Sequence, residues 1–129
     1  MKRCHCAFIA SVIMLGIGQL SAQNPTSLPA TEFAKKIKQM PASPVVDVRT
    51  PEEYAQGHLP NARNIDWNGS DFEKSIVKLD KSKPVFVYCL RQTRTASAAS
   101  MMRSIGFKEV YELSGGIAAW RSAKLPETK

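Results

Sequence analysis

Three β-rich apolar runs, residues 45–49, 85–88 and 109–113, alternate along this chain with segments whose apolar residues recur at helical spacing. That alternation restricts the fold more than any other feature. Strands joined by helical crossovers pair in parallel, and a parallel sheet needs helices on both faces. The expected architecture is a three-layer α/β domain with a mainly parallel central sheet. Thr31 can cap a helix carrying Phe33, Ile37 and Met40, with Lys35, Lys36 and Lys38 on its solvated side, and Pro41 and Pro44 end it. Thr50-Pro51-Glu52-Glu53 joins a capping threonine, a proline at the first helical position and a glutamate three residues on; Gly57 closes that short helix. Residues 62–66 resume an extended segment, and Ser70-Asp71-Phe72-Glu73 repeats the capping pattern ahead of Ile76, Val77 and Leu79. A later helix with Ala98, Met101, Met102 and Ile105 ends at Gly106, its methionines read as core. Ser114-Gly115-Gly116 leads into a closing helix with Ile117, Ala118 and Trp120.

The run at 85–88 continues straight into Cys89, then through Leu90-Arg91-Gln92-Thr93-Arg94-Thr95 into a helical segment. A cysteine so placed sits at the C-terminal end of a strand and the N-terminal end of a helix, where open α/β sheets bind ligands. The thiolate is the nucleophilic form of cysteine, and it needs a helix N-terminus or nearby cations to be populated at neutral pH. This stretch offers both. N–H groups of a loop entering a helix lack intrahelical partners and can converge on an anion, and Arg91 and Arg94 add positive charge. The other reading of Cys89 is a buried structural cysteine at a strand end. The two arginines and the strand-loop-helix context favour the reactive thiol.

The 129 residues suffice for one domain. Met1-Lys2-Arg3, the twelve-residue apolar run 7–18 and Leu20-Ser21-Ala22 read as a secretory signal peptide over residues 1–22, the run being short for a membrane span. Residues 23–27 are then a tether, 28–125 the domain and 126–129 a tail. The expected destination is outside the cytoplasm, in a bacterial periplasm, with no stable membrane anchor after cleavage. Cys4-His5-Cys6 resembles a metal pair but falls inside the leader. The mature chain keeps only Cys89 and His58 as strong soft ligands, so no metal site is expected. Removal of Lys2 and Arg3 lowers the formal charge from +7 to +5, with basic residues scattered among acids, which favours small anions over nucleic acid as partners. One remaining cysteine excludes an internal disulfide and a Cys-x-x-Cys exchange.

Three stretches resemble, in order, the signatures of the single-domain rhodaneses. They are Asp47-Val48-Arg49-Thr50-Pro51-Glu52-Glu53-Tyr54 with Gly57-His58-Leu59-Pro60-Asn61-Ala62, then Tyr88-Cys89 through Arg94-Thr95, then Leu113-Ser114-Gly115-Gly116 with Ala119-Trp120. The resemblance implies a rhodanese-like fold and a sulfurtransferase of the thiosulfate type, working without a cofactor. In such enzymes the loop cysteine, here Cys89, attacks the outer sulfur of a donor such as thiosulfate. It holds that sulfur as a persulfide and passes it to a thiol or another thiophilic acceptor. By the same resemblance Leu90, Arg91, Gln92, Thr93, Arg94 and Thr95 form the substrate cradle, and Asp47, Arg49 and His58 support it, in structural roles before catalytic ones. A monomer is expected.

Two features qualify the resemblance. Gln92 stands where the family's loop usually has glycine, and a left-handed backbone there would cost a glutamine on the order of 1 kcal/mol or more. Leu90 and Arg91 give the rim an apolar and cationic pair that is unusual for the family. Loop length argues against a cysteine phosphatase: four residues separate Cys89 from Arg94, Thr95 occupies the position of a phosphatase arginine, and Tyr88 that of its histidine. The other class to weigh is a rhodanese-like binding module for a protein partner or an anion, which would have no need of Cys89 and Arg94.

Overall fold

A computed structural model describes residues 26–129. The leader and the Cys4-His5-Cys6 group lie outside the described residues. The chain runs β1 (Ser27–Leu28), α1 (Ala30–Gln39), β2 (Val45–Asp47), α2 (Pro51–Ala55), β3 (Arg63–Asn64), α3 (Phe72–Ile76), β4 (Val85–Tyr88), α4 (Thr93–Ser104), β5 (Val110–Leu113) and α5 (Gly116–Ser122). Its five strands form one sheet in the order β1-β5-β4-β2-β3, every pair parallel. The expected α/β architecture is the observed one.

The central strand shows why the sheet must be covered twice. All four residues of β4 are buried, and successive side chains point to opposite faces. Val85 and Val87, followed by Cys89, pack with Ile76, Ala98, Ala99 and Met102 under α3 and α4. Phe86 and Tyr88 pack with Phe33, Leu113, Ile117 and Trp120 under α1 and α5. Phe33 meets Phe86 and Trp120 edge-on, with centroids 5.3 and 6.5 Å apart.

Local differences from the sequence reading have local causes. Thr31 does not cap α1: the helix starts at Ala30, where the Phe33 amide closes the first turn on the Pro29 carbonyl at 2.8 Å. Ser70 forms no capping box either. Residue Asp71 precedes α3 with φ −106° and ψ 13°, away from the extended geometry a side-chain cap requires, and makes no capping bond. Val77, read as part of that helix's apolar side, is exposed. Residues 126–128 are not a free tail. Thr128 exchanges two backbone hydrogen bonds with His58 at 2.8 and 2.9 Å, Trp120 Nε1 donates to the Pro126 carbonyl at 3.0 Å, and Glu127 pairs with Arg121.

Candidate active site

Strand order places the site. From β2 the chain steps to β3 on one side, and from β4 it steps to β5 on the other. The crevice between the C-terminal ends of β2 and β4 is the switch point, where parallel α/β sheets take ligands. Cys89 is the first residue after β4, 2 % exposed. Asp47, which ends β2, is paired in register with Tyr88.

The loop that follows is shaped from behind. Ile117 and Ala118 donate their backbone N–H groups to the carbonyls of Cys89 and Leu90, at 2.9 and 3.1 Å. In a trans peptide the N–H points opposite to the C=O, so pinning these two carbonyls aims the Leu90 and Arg91 N–H groups the other way. Among the described residues, the N–H groups of Leu90, Arg91, Gln92, Thr93, Arg94 and Thr95 find no protein acceptor. The last three belong to the first turn of α4, whose donors have no intrahelical partner. The Thr95 hydroxyl is fully buried and also lacks a partner. The result is a loop of spare donors that begins directly after the cysteine, a cradle suited to an anion.

Gly116 permits this contact. Its φ is +62°, and a Cβ there would sit 2.4 Å from the Leu90 carbonyl carbon and oxygen and 2.6 Å from the Arg91 nitrogen. The loop's own unusual residue needs no such freedom. Gln92 has φ −148° and ψ −36°, outside the left-handed region, so the expected backbone cost is absent. Its side chain donates from Nε2 to Glu112 Oε1 at 3.3 Å, and Glu112 Oε2 accepts from Arg103 at 3.0 Å.

The charges behind the loop are paired, while Arg91 stands exposed without an ion pair among the described residues. Arg94 donates from both terminal nitrogens to the two oxygens of Glu53, at 2.7 and 3.1 Å. Glu53 also completes the capping box of α2 with Thr50, as the sequence pattern indicated. The Arg94 hydrogen bonds hold the Glu53 carboxyl at about 2, and Glu53 in turn raises Arg94. Deeper in, Asp47 and Arg49 form a fully buried ion pair at 2.7 Å, and Arg49 reaches on to the Gly57 carbonyl at 2.7 Å. Tyr88 lies beside them, its hydroxyl accepting from the Leu59 N–H at 3.0 Å. Burial and the Asp47 charge push the Tyr88 phenol far above its usual range.

Of the residues singled out by sequence, Cys89 and residues 90–95 fall together between the end of β4 and the first turn of α4, and Asp47 and Arg49 lie beside Tyr88, the neighbour of Cys89 in the chain. His58 sits between Gly57, whose carbonyl accepts from Arg49, and Leu59, whose N–H donates to Tyr88. Its Nδ1 donates to the Tyr54 carbonyl at 2.9 Å, its ring stacks on Tyr54 at 3.7 Å, and its backbone holds Thr128. Three participants escaped sequence reading. The sequence pattern assigns Glu53 only to helix capping and Gly116 only to a turn. Glu112 carried a usable signal, a charged residue inside an apolar strand, opposite Val87 and therefore on the Cys89 face of the sheet.

The chain has relatives among known proteins. The chain is 37 % identical over 100 residues to the thiosulfate sulfurtransferase GlpE of Pseudomonas paraeruginosa, covering 77 % of this chain and 87 % of that protein. It is 38 % identical over 76 residues to the uncharacterized protein YqhL of Bacillus subtilis, a match that spans 59 % of each. Among solved structures, a rhodanese-related protein from Thermoplasma volcanium superposes with a TM-score of 0.70 at 28 % identity, over 79 % of this chain and 96 % of that one. A rhodanese-like domain from Anabaena does so at 0.71 and 30 % identity, over 80 and 78 %. The profile of the rhodanese-like domain matches residues 29–123, and the chain belongs to that family.

Proposed function

We propose that this protein is a sulfurtransferase that moves a sulfane sulfur from a small donor, such as thiosulfate, to a thiophilic acceptor through a persulfide on Cys89. The observation that carries the reading is the run of unpartnered N–H groups at residues 90–95 directly after the thiol-bearing residue, together with the spare Thr95 hydroxyl. Cys89 as thiolate attacks the outer sulfur of thiosulfate; the S–S bond breaks and its electron pair leaves with sulfite. The cradle's donors hold the negative charge that the terminal sulfur of the persulfide carries. An acceptor thiolate then attacks that sulfur and returns Cys89 as thiolate. Residues 1–22 direct the chain out of the cytoplasm, and it works as a monomer.

Intact mass spectrometry tests this directly. Excess thiosulfate should add one sulfur to the protein, cyanide should remove it, and Cys89→Ser should gain none while keeping its far-UV spectrum. A second reading, a binding module for a protein partner or an anion, draws on the near-complete burial of Cys89. No sulfur gained by a reduced, correctly folded protein would bring that reading forward.

A further inference from the structure

The cradle carries two arginines, and the fold treats them differently. Arg94 commits both terminal nitrogens to Glu53 in a two-pronged ion pair, whereas Arg91 is exposed and makes no ion pair among the described residues. A guanidinium held this way adds no net charge, because the carboxylate comes with it. A dianion entering the cradle would meet Glu53 as well as Arg94. The rim supplies a separate observation. Leu90, immediately after the nucleophile, is one of two large apolar side chains exposed among the described residues, at 38 %. Carbon beside the nucleophile suits an organic leaving group better than a strongly hydrated sulfonate-like one.

We infer that Glu53 is a specificity-determining residue that withdraws Arg94 from the substrate, so that this site takes its sulfur from an organic persulfide, RSSH, in preference to thiosulfate. The inference rests on the sulfur-transfer reading above and names its donor. In the step, the Cys89 thiolate attacks the outer sulfur of RSSH. The new Sγ–S bond forms, the RS–S bond breaks, its electron pair leaves as RS⁻, and the proton stays with the transferred sulfur. No outside oxidant or reductant is needed. Leu90 lies against the organic group R, and the backbone donors hold the sulfur in transit.

The experiment measures sulfur gain at Cys89 against time and donor concentration, with thiosulfate and with glutathione persulfide, for the wild type and Glu53→Gln. Glutamine keeps the capping box of α2, which accepts Glu or Gln at that position. The ratio of the two donors within one variant is also insensitive to its folded fraction. Wild type should load from the persulfide about tenfold faster or more. In Glu53→Gln the released Arg94 offers charge-assisted hydrogen bonds to the dianion, and the ratio should move toward thiosulfate by about tenfold, through a lower half-saturation for thiosulfate. Equal or faster loading of wild type from thiosulfate would overturn the donor assignment while leaving sulfur transfer intact. An unchanged ratio in Glu53→Gln would overturn the role of Glu53. No sulfur gained from either donor would overturn sulfur transfer itself.

Discussion

The two ends of the sheet handle charge in opposite ways. At the C-terminal end, Asp47, Arg49, Glu53 and Arg94 are buried or half-buried, and each has a partner at hydrogen-bond distance. At the N-terminal end lies a cleft of about 580 Å³, with Lys38, Arg63, Lys78 and Lys83 in its walls against the single acid Asp80. None of those four cations is in an ion pair. Room and positive charge alone therefore do not locate the chemistry. A site needs donors that are fixed before the ligand arrives, and in this molecule those are backbone N–H groups and paired side chains at the opposite end.

The sharpest way to break the contrast is to unpair a charge at the C-terminal end. Arg49→Ala strands the Asp47 carboxylate in the core and frees the Gly57 carbonyl, and should cost about 3–5 kcal/mol in urea unfolding. The exposed Arg121–Glu127 pair is the control, and Arg121→Ala should cost under about 1 kcal/mol. A milder probe is acid. The Glu53 carboxyl lies at about 2 in the folded protein, below its ordinary value of 4.5, so its contribution to stability is complete above that value. It is lost as pH falls from there through about 2. Over this window the urea midpoint of wild type should fall more steeply than that of Glu53→Gln; parallel slopes would remove the pair from the stability account. The smallest effect belongs to the far end. Lys83 and Cys89 are separated by about 20 Å of extended chain, beyond a Debye length of about 8 Å, so Lys83→Glu should leave the sulfur-loading rate of Cys89 within about twofold.

Sequence disclosed the scaffold well because periodicity and punctuation are local. The doubly buried strands, the Thr50 capping box and the strand-to-helix placement of Cys89 each follow from neighbouring residues. The two identical-looking caps show the limit. Thr50 and Ser70 head the same pattern, yet only the first forms the box. The Thr50 box is backed by Arg94 from 41 residues away, through its grip on Glu53. The same limit applies at Gln92. A family pattern with glycine points to a left-handed loop residue, but here the loop takes φ −148° and its side chain is tied to Glu112 on β5. Long-range pairings hold both the Thr50 box and Gln92, and such pairings are invisible to a reading confined to one segment.

The two hydrogen bonds from Ile117 and Ala118 into the cysteine loop tie the nucleophile to a helix near the end of the chain. Any excursion that lifts α5 off the sheet therefore releases the loop at the same moment, and bulky thiol reagents gain their route to Cys89 through that excursion. Under conditions where reclosing outpaces the reagent, the labelling rate of this one cysteine measures the opening equilibrium of the C-terminal segment. The nucleophile thus doubles as a built-in reporter of how firmly α5 is seated.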